Sequence, residues 1–268
     1  MTNKINIKKE LIIDLEDVKV DQSRYWSGFS KAVSYFKKSK KNIFLKEETV
    51  PPLKKISCYD EKKNLLWVYP RDDRPYKMTS SIYVYEGRSE SFVVLFEWDY
   101  KNNDVHDFIQ SVVILNEDGN PIKEFVLPAL GDTYKYRLHT MTAQTIFGKP
   151  YLVADGGNGI GIFDFNNGKM ISYLPTEPVT PRTPEGIKLE KNGKKYAVFY
   201  TDFKSYWQSS KLFILSDKWE LLYEEVLTYG WLLGGIAGSA DNFIIKTMET
   251  KDCKTTGNTI TWKYMMNP

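Results

Sequence analysis

The chain has 268 residues, 42% hydrophobic and 15% aromatic, enough to bury a large core without a disulfide or metal staple. Its 37 Lys and Arg stand against 34 Asp and Glu, a formal net charge of +3, and this balance lacks the concentrated basic stripe of a nucleic-acid partner. No apolar run approaches the roughly 18 residues of a membrane helix, so no membrane association is expected.

The N-terminal stretch MTNKINIKKELIIDLEDV has neither a long apolar core nor a small-residue cleavage site, so a secretory signal is not expected. Within it, IKKELIIDLED (7–17) reads as a strand with no neighbour of its own. From Asp14 to Lys41 two readings compete. Leu15, Val18, Tyr25, Phe29, Val33 and Phe36 partly follow a helical period, whereas Gly28 and the aromatic content favour strands. On the strand reading, SGFSKAVSYF (27–36), KNIFLKEE (41–48), KKISCYD (54–60) and NLLWVYP (64–70) form a first antiparallel meander. A lysine run crosses it, with Lys37, Lys38, Lys40, Lys41, Lys46, Lys54 and Lys55 against Glu47 and Glu48; a solvated surface is expected, an anionic partner being the alternative.

A second meander follows as TSSIYVYEG (79–87), ESFVVLFEWDY (90–100), FIQSVVILN (108–116) and IKEFVLP (122–128). The third is the clearest: HTMTAQTIFG (139–148), PYLVAD (150–155), GIGIFDF (159–165) and KMISYLP (169–175), with turns that tolerate positive φ. Four prolines in PTEPVTPRTPEG (175–186) make an extended connection to the fourth meander. That meander comprises EGIKLEKNG (185–193), KKYAVFYTD (194–202), SKLFILSD (210–217) and ELLYEEVLT (220–228). The remainder supplies three strands, LLGGIAGSA (232–240), NFIIKTMET (242–250) and NTITWKYMM (258–266), one short of a meander. The unassigned strand at 7–17 can complete it and remove an unpaired edge.

The last strand of each meander ends alike, at Pro70, Pro128, Pro175 and Thr228, at intervals of about 50 residues. Recurring hairpins at this period predict an all-β array, a five-bladed β-propeller in one domain whose terminal blade is closed by the N-terminal strand. A β-sandwich or paired barrels use similar strands with less regular spacing. LVADGGNGIGIFDFNNGKMISYL, about a tenth of the chain, resembles a repeat of the WD40-like or quinoprotein-like propeller superfamilies. The Gly-His and Trp-Asp pairs of WD40 repeats are absent, Trp98-Asp99 lying in a second strand. Ser172 and Tyr173 stand where the quinoprotein tryptophan would be, so no quinone or other cofactor is expected.

Chemistry-bearing residues are sparse. Cys58 and Cys253 lack metal-ligand spacing and are expected to be two reduced thiols in a cytoplasmic protein, although a ring would bring the chain ends together and permit a disulfide. Asp155-Gly156-Gly157-Asn158-Gly159 precedes a strand instead of the helix a phosphate loop needs, so a plain turn is expected. A cation shared by Asp155, Asn158 and Asp164 is the alternative. His106 and His139 carry no motif, and no G-x-S-x-G elbow occurs. Asp99, Asp155, Asp202 and Asp241 end strands where a glycosidase of this fold would present carboxylates, and where Asp is also an ordinary turn residue.

The richest cluster is aromatic: Tyr200, Phe203, Tyr206, Trp207, Tyr229 and Trp231, interleaved with Asp202, Lys204 and Gln208. Such rings stack on sugars or bury a partner's apolar anchors while the polar groups orient it. The expected function is a non-catalytic interaction protein binding a protein, small-molecule or sugar ligand through Tyr200, Asp202, Tyr206, Trp207 and Trp231. A glycoside hydrolase and a lectin are the alternatives, and Tyr206-Trp207 has no counterpart in the other meanders as a symmetric lectin would require.

Overall fold

The structure, a computed structural model, describes residues 5–12, 33–50, 53–70, 78–100, 108–128, 138–156, 159–175, 185–202, 210–227, 232–238, 242–251 and 254–267. Among them every regular element is a strand. Sheet 1 holds β2 (Val33–Phe36), β3 (Lys41–Val50), β4 (Leu53–Asp60) and β5 (Leu65–Tyr69), paired in chain order. Sheet 2 holds β6 (Met78–Glu86), β7 (Ser91–Tyr100), β8 (Phe108–Leu115) and β9 (Pro121–Val126). Sheet 3 is β10 (Leu138–Ile146), β11 (Lys149–Gly156), β12 (Gly159–Asp164) and β13 (Met170–Pro175). Sheet 4 is β14 (Glu185–Lys191), β15 (Lys194–Asp202), β16 (Ser210–Ser216) and β17 (Leu221–Leu227).

Sheet 5 joins distant parts of the chain. β18 (Leu232–Gly238), β19 (Phe243–Lys251) and β20 (Lys254–Asn267) pair in order, and β1 (Asn6–Ile12) lies antiparallel on the free edge of β20. The helical reading of 14–41 fails over its described part, because Val33–Phe36 is a strand paired with Lys41–Phe44; residues 14–32 lie outside the described residues. β-branched and aromatic side chains at period two gain more by covering a sheet than by forming one helical stripe.

Strand alternation sets how the sheets pack. On β7, Val93 and Leu95 join the core shared with sheet 1, whereas Val94 and Phe96 join the core shared with sheet 3. Likewise Tyr151 and Val153 of β11 pack toward sheet 4, and Leu152 and Ala154 toward sheet 2. Val198 of β15 meets Phe243, Ile245 and Tyr264 of sheet 5, and its neighbour Phe199 meets sheet 3. Four apolar seams therefore link sheets 1 to 5 in chain order, and the first strands β2, β6, β10, β14 and β18 neighbour one another in succession. Middle strands buried on both faces read as continuous apolar runs such as VVLF and LFIL. Each fully buried Val, Leu, Ile or Phe contributes about 1.5–3 kcal/mol.

The turn between third and fourth strands recurs in sheets 1 to 4. A polar residue at its start caps the loop with its side chain: Asp60 accepts from the amides of Lys62 and Asn64, Asn116 from Asp118 and Asn120, Asp164 from Asn166 and Asn167, and Ser216 from Lys218 and Glu220. Each hairpin also carries a register shift just beyond the turn, at Cys58/Tyr59, Ile114/Leu115, Ile162/Phe163 and Ile214/Leu215. The bulge adds twist and spoils a free edge for pairing.

Near the end of each turn one residue has positive φ: Lys63, Gly119, Gly168 and Trp219. Glycine is required at two of them because the preceding sheet leans in. A Cβ on Gly119 would lie 2.4 Å from the ring of Trp67, and one on Gly168 would lie 2.3 Å from that of Phe125. Trp219 instead uses its side chain, packing edge-on against Phe147 and Tyr151 of sheet 3 with centroids 5.4 and 4.9 Å away. Gly119→Ala should therefore cost about 1–3 kcal/mol from overpacking and strain. Gly148→Ala, at a positive φ with open space around it, should carry the backbone strain alone, about 1–2 kcal/mol, and so lose less than Gly119→Ala. Urea unfolding of the two variants checks the difference, and equal losses would mean that Trp67 does not press on the turn.

A single carboxylate ties sheet 1 to sheet 2. Glu117, 8% exposed, accepts from the backbone amides of Lys38 (2.9 Å), Ser39 (2.8 Å) and Ser91 (2.8 Å), while its own carbonyl accepts from the indole of Trp67 at 2.9 Å. Ser91 Oγ donates to Tyr35 O and accepts from Lys37 N, completing the clamp. Burial alone would push the Glu117 carboxyl up, but the amides of Ser91, Lys38 and Ser39 outweigh it and hold the group below its usual range. A carboxyl depressed on folding stabilises above its unfolded pKa, about 4.3, and that contribution is lost as pH falls through the lower folded value. Glu117→Gln should lower stability at pH 7 by about 1–3 kcal/mol. It should also flatten the loss of stability below about pH 4.3. Urea midpoints from pH 2 to 7 test both, and a variant with an unchanged acid slope would remove Glu117 from this role.

Candidate functional site

The meander connectivity divides the molecule into two ends. The first-to-second and third-to-fourth turns of sheets 1 to 4 all lie at one end. Contacts between sheets bring these ends together, as in Lys38 to Glu117, Lys123 to Asn166, Trp219 to Phe147 and Lys191 to the carbonyl of Met266. The connections between second and third strands, and those between sheets, all leave from the other end, hereafter the loop end. Short turns satisfy their own backbone groups and leave little to bind a ligand, whereas longer connections are free to carry recognition groups.

Of the sequence-derived binding residues, Tyr200 and Asp202 are placed toward the loop end. Tyr200 pairs with Glu185 and Leu212 near the end of β15, and Asp202 closes that strand opposite Ser210. Tyr206 and Trp207 belong to the connection 203–209 that Asp202 and Ser210 bracket, and Trp231 immediately precedes β18; all three lie outside the described residues. So do Phe203, Lys204, Gln208 and Tyr229. β18 neighbours β14 and β15, so the chain positions flanking Trp231 and those flanking Trp207 belong to adjacent sheets. The carboxylates considered for glycoside chemistry also end strands there: Asp99 opposite Ile109, and Asp155 opposite Thr140 and Ile160; Asp241 is outside the described residues. His139 sits in the register irregularity of β10 between Leu138 and Thr140, and His106 is outside the described residues.

Two alternatives raised by the sequence, a shared cation and a disulfide at Cys58, fail, and the reduced Cys58 expected from it is found. Asp155 and Asp164 cannot share a cation, because β12 separates them: Asp155 pairs near the loop end, and Asp164 caps the tight turn at the other. Tyr151 to Asp155 spans that separation, roughly 13 Å of extended strand. The lysine run is not one patch either. Lys37, Lys38 and Lys40 sit in a tight turn, with Lys37 Nζ held by Gly87 O at 2.8 Å, while Lys54 pairs with Thr49 and Lys55 with Glu48 toward the loop end. Cys58 is a free thiol, fully buried in the seam between sheets 1 and 2, so it forms no disulfide; Cys253 lies outside the described residues. Burial, aided by the charge of Asp60, pushes the Cys58 thiol up to about 12.

Other polar groups do structural work. Lys9 of β1 bonds Glu225 at 2.6 Å and lies 3.8 Å from the centroid of the Trp262 ring, tying the chain-distant strand to both β20 and β17. Tyr223 donates to Glu225 at 3.0 Å, and burial first, then the Glu225 charge and that bond, raise its phenol above the usual range. Sequence reasoning missed the Glu117 clamp and three polar residues in the same seam, Glu47, Glu97 and Ser111. The signal was phase: Glu97 continues the Val93, Leu95 face of its strand, so it points into a core. Among the described residues no group of three or more His, Cys, Asp and Glu converges. Among the described residues no helix is long and apolar enough to cross a membrane. Cys58 should resist alkylation at pH 8 in the native protein and react fully in 6 M guanidinium, read by site-resolved mass spectrometry; native labelling would show that the seam opens.

No family model and no curated sequence matches the chain. Solved structures similar to it include a subtype N10 neuraminidase-like protein of a little yellow-shouldered bat isolate from Guatemala, at 11% identity and a TM-score of 0.46, covering 89% of this chain and 81% of that one. BBS1N, solved in complex with ARL6DN, is 12% identical with a TM-score of 0.45, covering 85% of this chain and 66% of that chain. An alpha-L-arabinofuranosidase from Lactobacillus brevis is 12% identical with a TM-score of 0.40 and covers 92% of each chain. Likenesses at this level assign no family and no activity.

Proposed function

We propose that the protein is a single-domain, non-catalytic five-bladed β-propeller that binds a protein or sugar ligand at its loop end. The observation that carries the binding role is the division of labour between the two ends. The tight turns are capped by their own side chains, and the longest sequence-derived aromatic cluster belongs to connections that leave the other end. Asp202 and Tyr200 anchor one side of that surface, with Tyr206, Trp207 and Trp231 supplying the stacking faces.

Ring closure is supported by burial on the two end faces. Ser57 faces away from the seam that sheet 1 shares with sheet 2, yet is 1% exposed; Thr261 faces away from sheet 4, yet is 4% exposed. In the proposed ring the mixed sheet 5 is the closing blade, and its packing on sheet 1 accounts for the burial of both residues. A cytoplasmic location fits the buried free thiol.

The test pairs stability with binding. Trp207→Ala should leave the thermal midpoint within about 2 °C of wild type, as for a surface residue. It should abolish the tryptophan-fluorescence response to whichever member of a saccharide and peptide panel binds the wild-type protein. A loss of about 3–5 kcal/mol would instead make Trp207 core filling. Release of chromogen from aryl glycosides, lost in Asp202→Asn, would overturn the non-catalytic reading.

A further inference from the structure

Two turns share the tripeptide Asn-Gly-Lys and differ in what the fold does with it. Asn192-Gly193-Lys194 joins β14 to β15, and Asn167-Gly168-Lys169 lies between β12 and β13. In the latter, Gly168 is buried and its amide donates to the Asp164 carbonyl at 2.9 Å, while Asn167 Oδ1 accepts from the Lys169 amide at 2.9 Å. Side chain and following amide are both engaged. The turn at 192 is the opposite case. Asn192 and Gly193 are exposed, both have positive φ (53° and 74°), and the strands close on them at the Lys191–Lys194 pair. Positive φ at both central residues marks a type I′ turn, whose hydrogen bond runs between the flanking residues and leaves the Gly193 amide to water. Nothing lies within 4 Å of the place a Gly193 Cβ would occupy, so no neighbour crowds the glycine.

An asparagine followed by glycine loses ammonia without an enzyme when the geometry allows it. The glycine backbone nitrogen attacks the asparagine Cγ; a C–N bond forms, the side-chain nitrogen leaves as ammonia with the amide proton, and a cyclic succinimide results. Water opens that ring at either carbonyl to give an aspartyl or an isoaspartyl residue, so water is consumed, ammonia is released and no oxidant is needed. The attack requires a free nitrogen, a side chain able to turn toward it, and no Cβ on the next residue to obstruct it. All three hold at Asn192, and the fold denies the first two at Asn167. We propose that Asn192 is a site of spontaneous deamidation in the folded protein. The product sets a new carboxylate beside Lys191, Lys194 and Lys195, and its isoaspartyl form adds a methylene to the backbone of a two-residue turn. Lys191 feels the change most, because its Nζ donates to Met266 O at 2.6 Å and ties sheet 4 to sheet 5. A carboxylate one residue away competes with that carbonyl for the ammonium, and the tie loosens.

The full-length protein is held at mildly alkaline pH and digested, and the mass gain of amide to carboxyl is followed separately at 192 and 167. A parallel sample is held in guanidinium. In the folded protein residue 192 should convert at least roughly tenfold faster than 167, since two hydrogen bonds must open before Asn167 reacts. In guanidinium the two rates should converge, because the tripeptide is the same. Aged folded protein should exchange the amides of Lys191 and Lys194 for deuterium faster than fresh protein, with the turn at 164–169 unchanged. Asn192→Gln, whose longer side chain closes a ring poorly, should keep both amides protected on ageing. Equal rates at the two sites in the folded protein, or conversion of 192 in guanidinium alone, overturns the proposal. So does a preference for 192 that persists in guanidinium, which would belong to the flanking sequence instead of the fold. Unchanged exchange at Lys191 and Lys194 in converted protein would overturn the loosened tie.

Discussion

Two-sided burial is the constraint on which the rest of this structure depends. The middle strands of sheets 2, 3 and 4 face an apolar seam on each side, so every residue in them is read by one neighbour or the other. In β7, Val93 and Leu95 serve sheet 1 while Val94 and Phe96 serve sheet 3, and a slip of one residue would exchange the two sets. Register is thus pinned by packing at both faces, and the recurrent bulge after each capped turn holds it at the strand ends.

Within that frame, polar groups are placed where the sheets meet at their ends. Glu117 anchors the turns of sheets 1 and 2 to each other through three backbone amides, a stronger tie than a neutral bond because the acceptor is charged. Lys9 does the corresponding work for β1, meeting Glu225 across the seam and the Trp262 ring within its own sheet. The glycines at 119 and 168 are the counterpart in shape, since they admit Trp67 and Phe125 from the preceding sheet. The Glu117 clamp and the two glycine contacts gather at the tight-turn end, whereas Lys9 meets Glu225 within the body of the sheets.

Much of the strand order was legible in the sequence because each strand announces itself locally. Apolar alternation and Asn-Gly and Asp-Gly pairs are short-range signals that mark sheets 2 to 4, and prolines end the outer strands of sheets 1 to 3. Even the pairing of the 7–17 segment with the C-terminal strands followed from counting strands, as β1 on β20 bears out. The helical alternative for 14–41 arose because a period of 3.6 and a period of 2 share many positions in a short window. The proposed aromatic site rests on composition in the same way, with Tyr200 and Asp202 carried to the loop end by β15.

What the sequence by itself determined was the local part: strands, turns, their four-strand grouping, and the lack of any recognisable catalytic motif. Only the tertiary structure decided which faces meet. That Glu117 reaches Lys38 and Ser39, that Asp155 and Asp164 lie at opposite ends of a strand, and that Ser111 is sealed beside Glu97 all depend on how sheets stack. Pairing between neighbouring strands is encoded by adjacent residues, whereas contact between sheets joins residues far apart in the chain whose side chains carry no local mark of their partner.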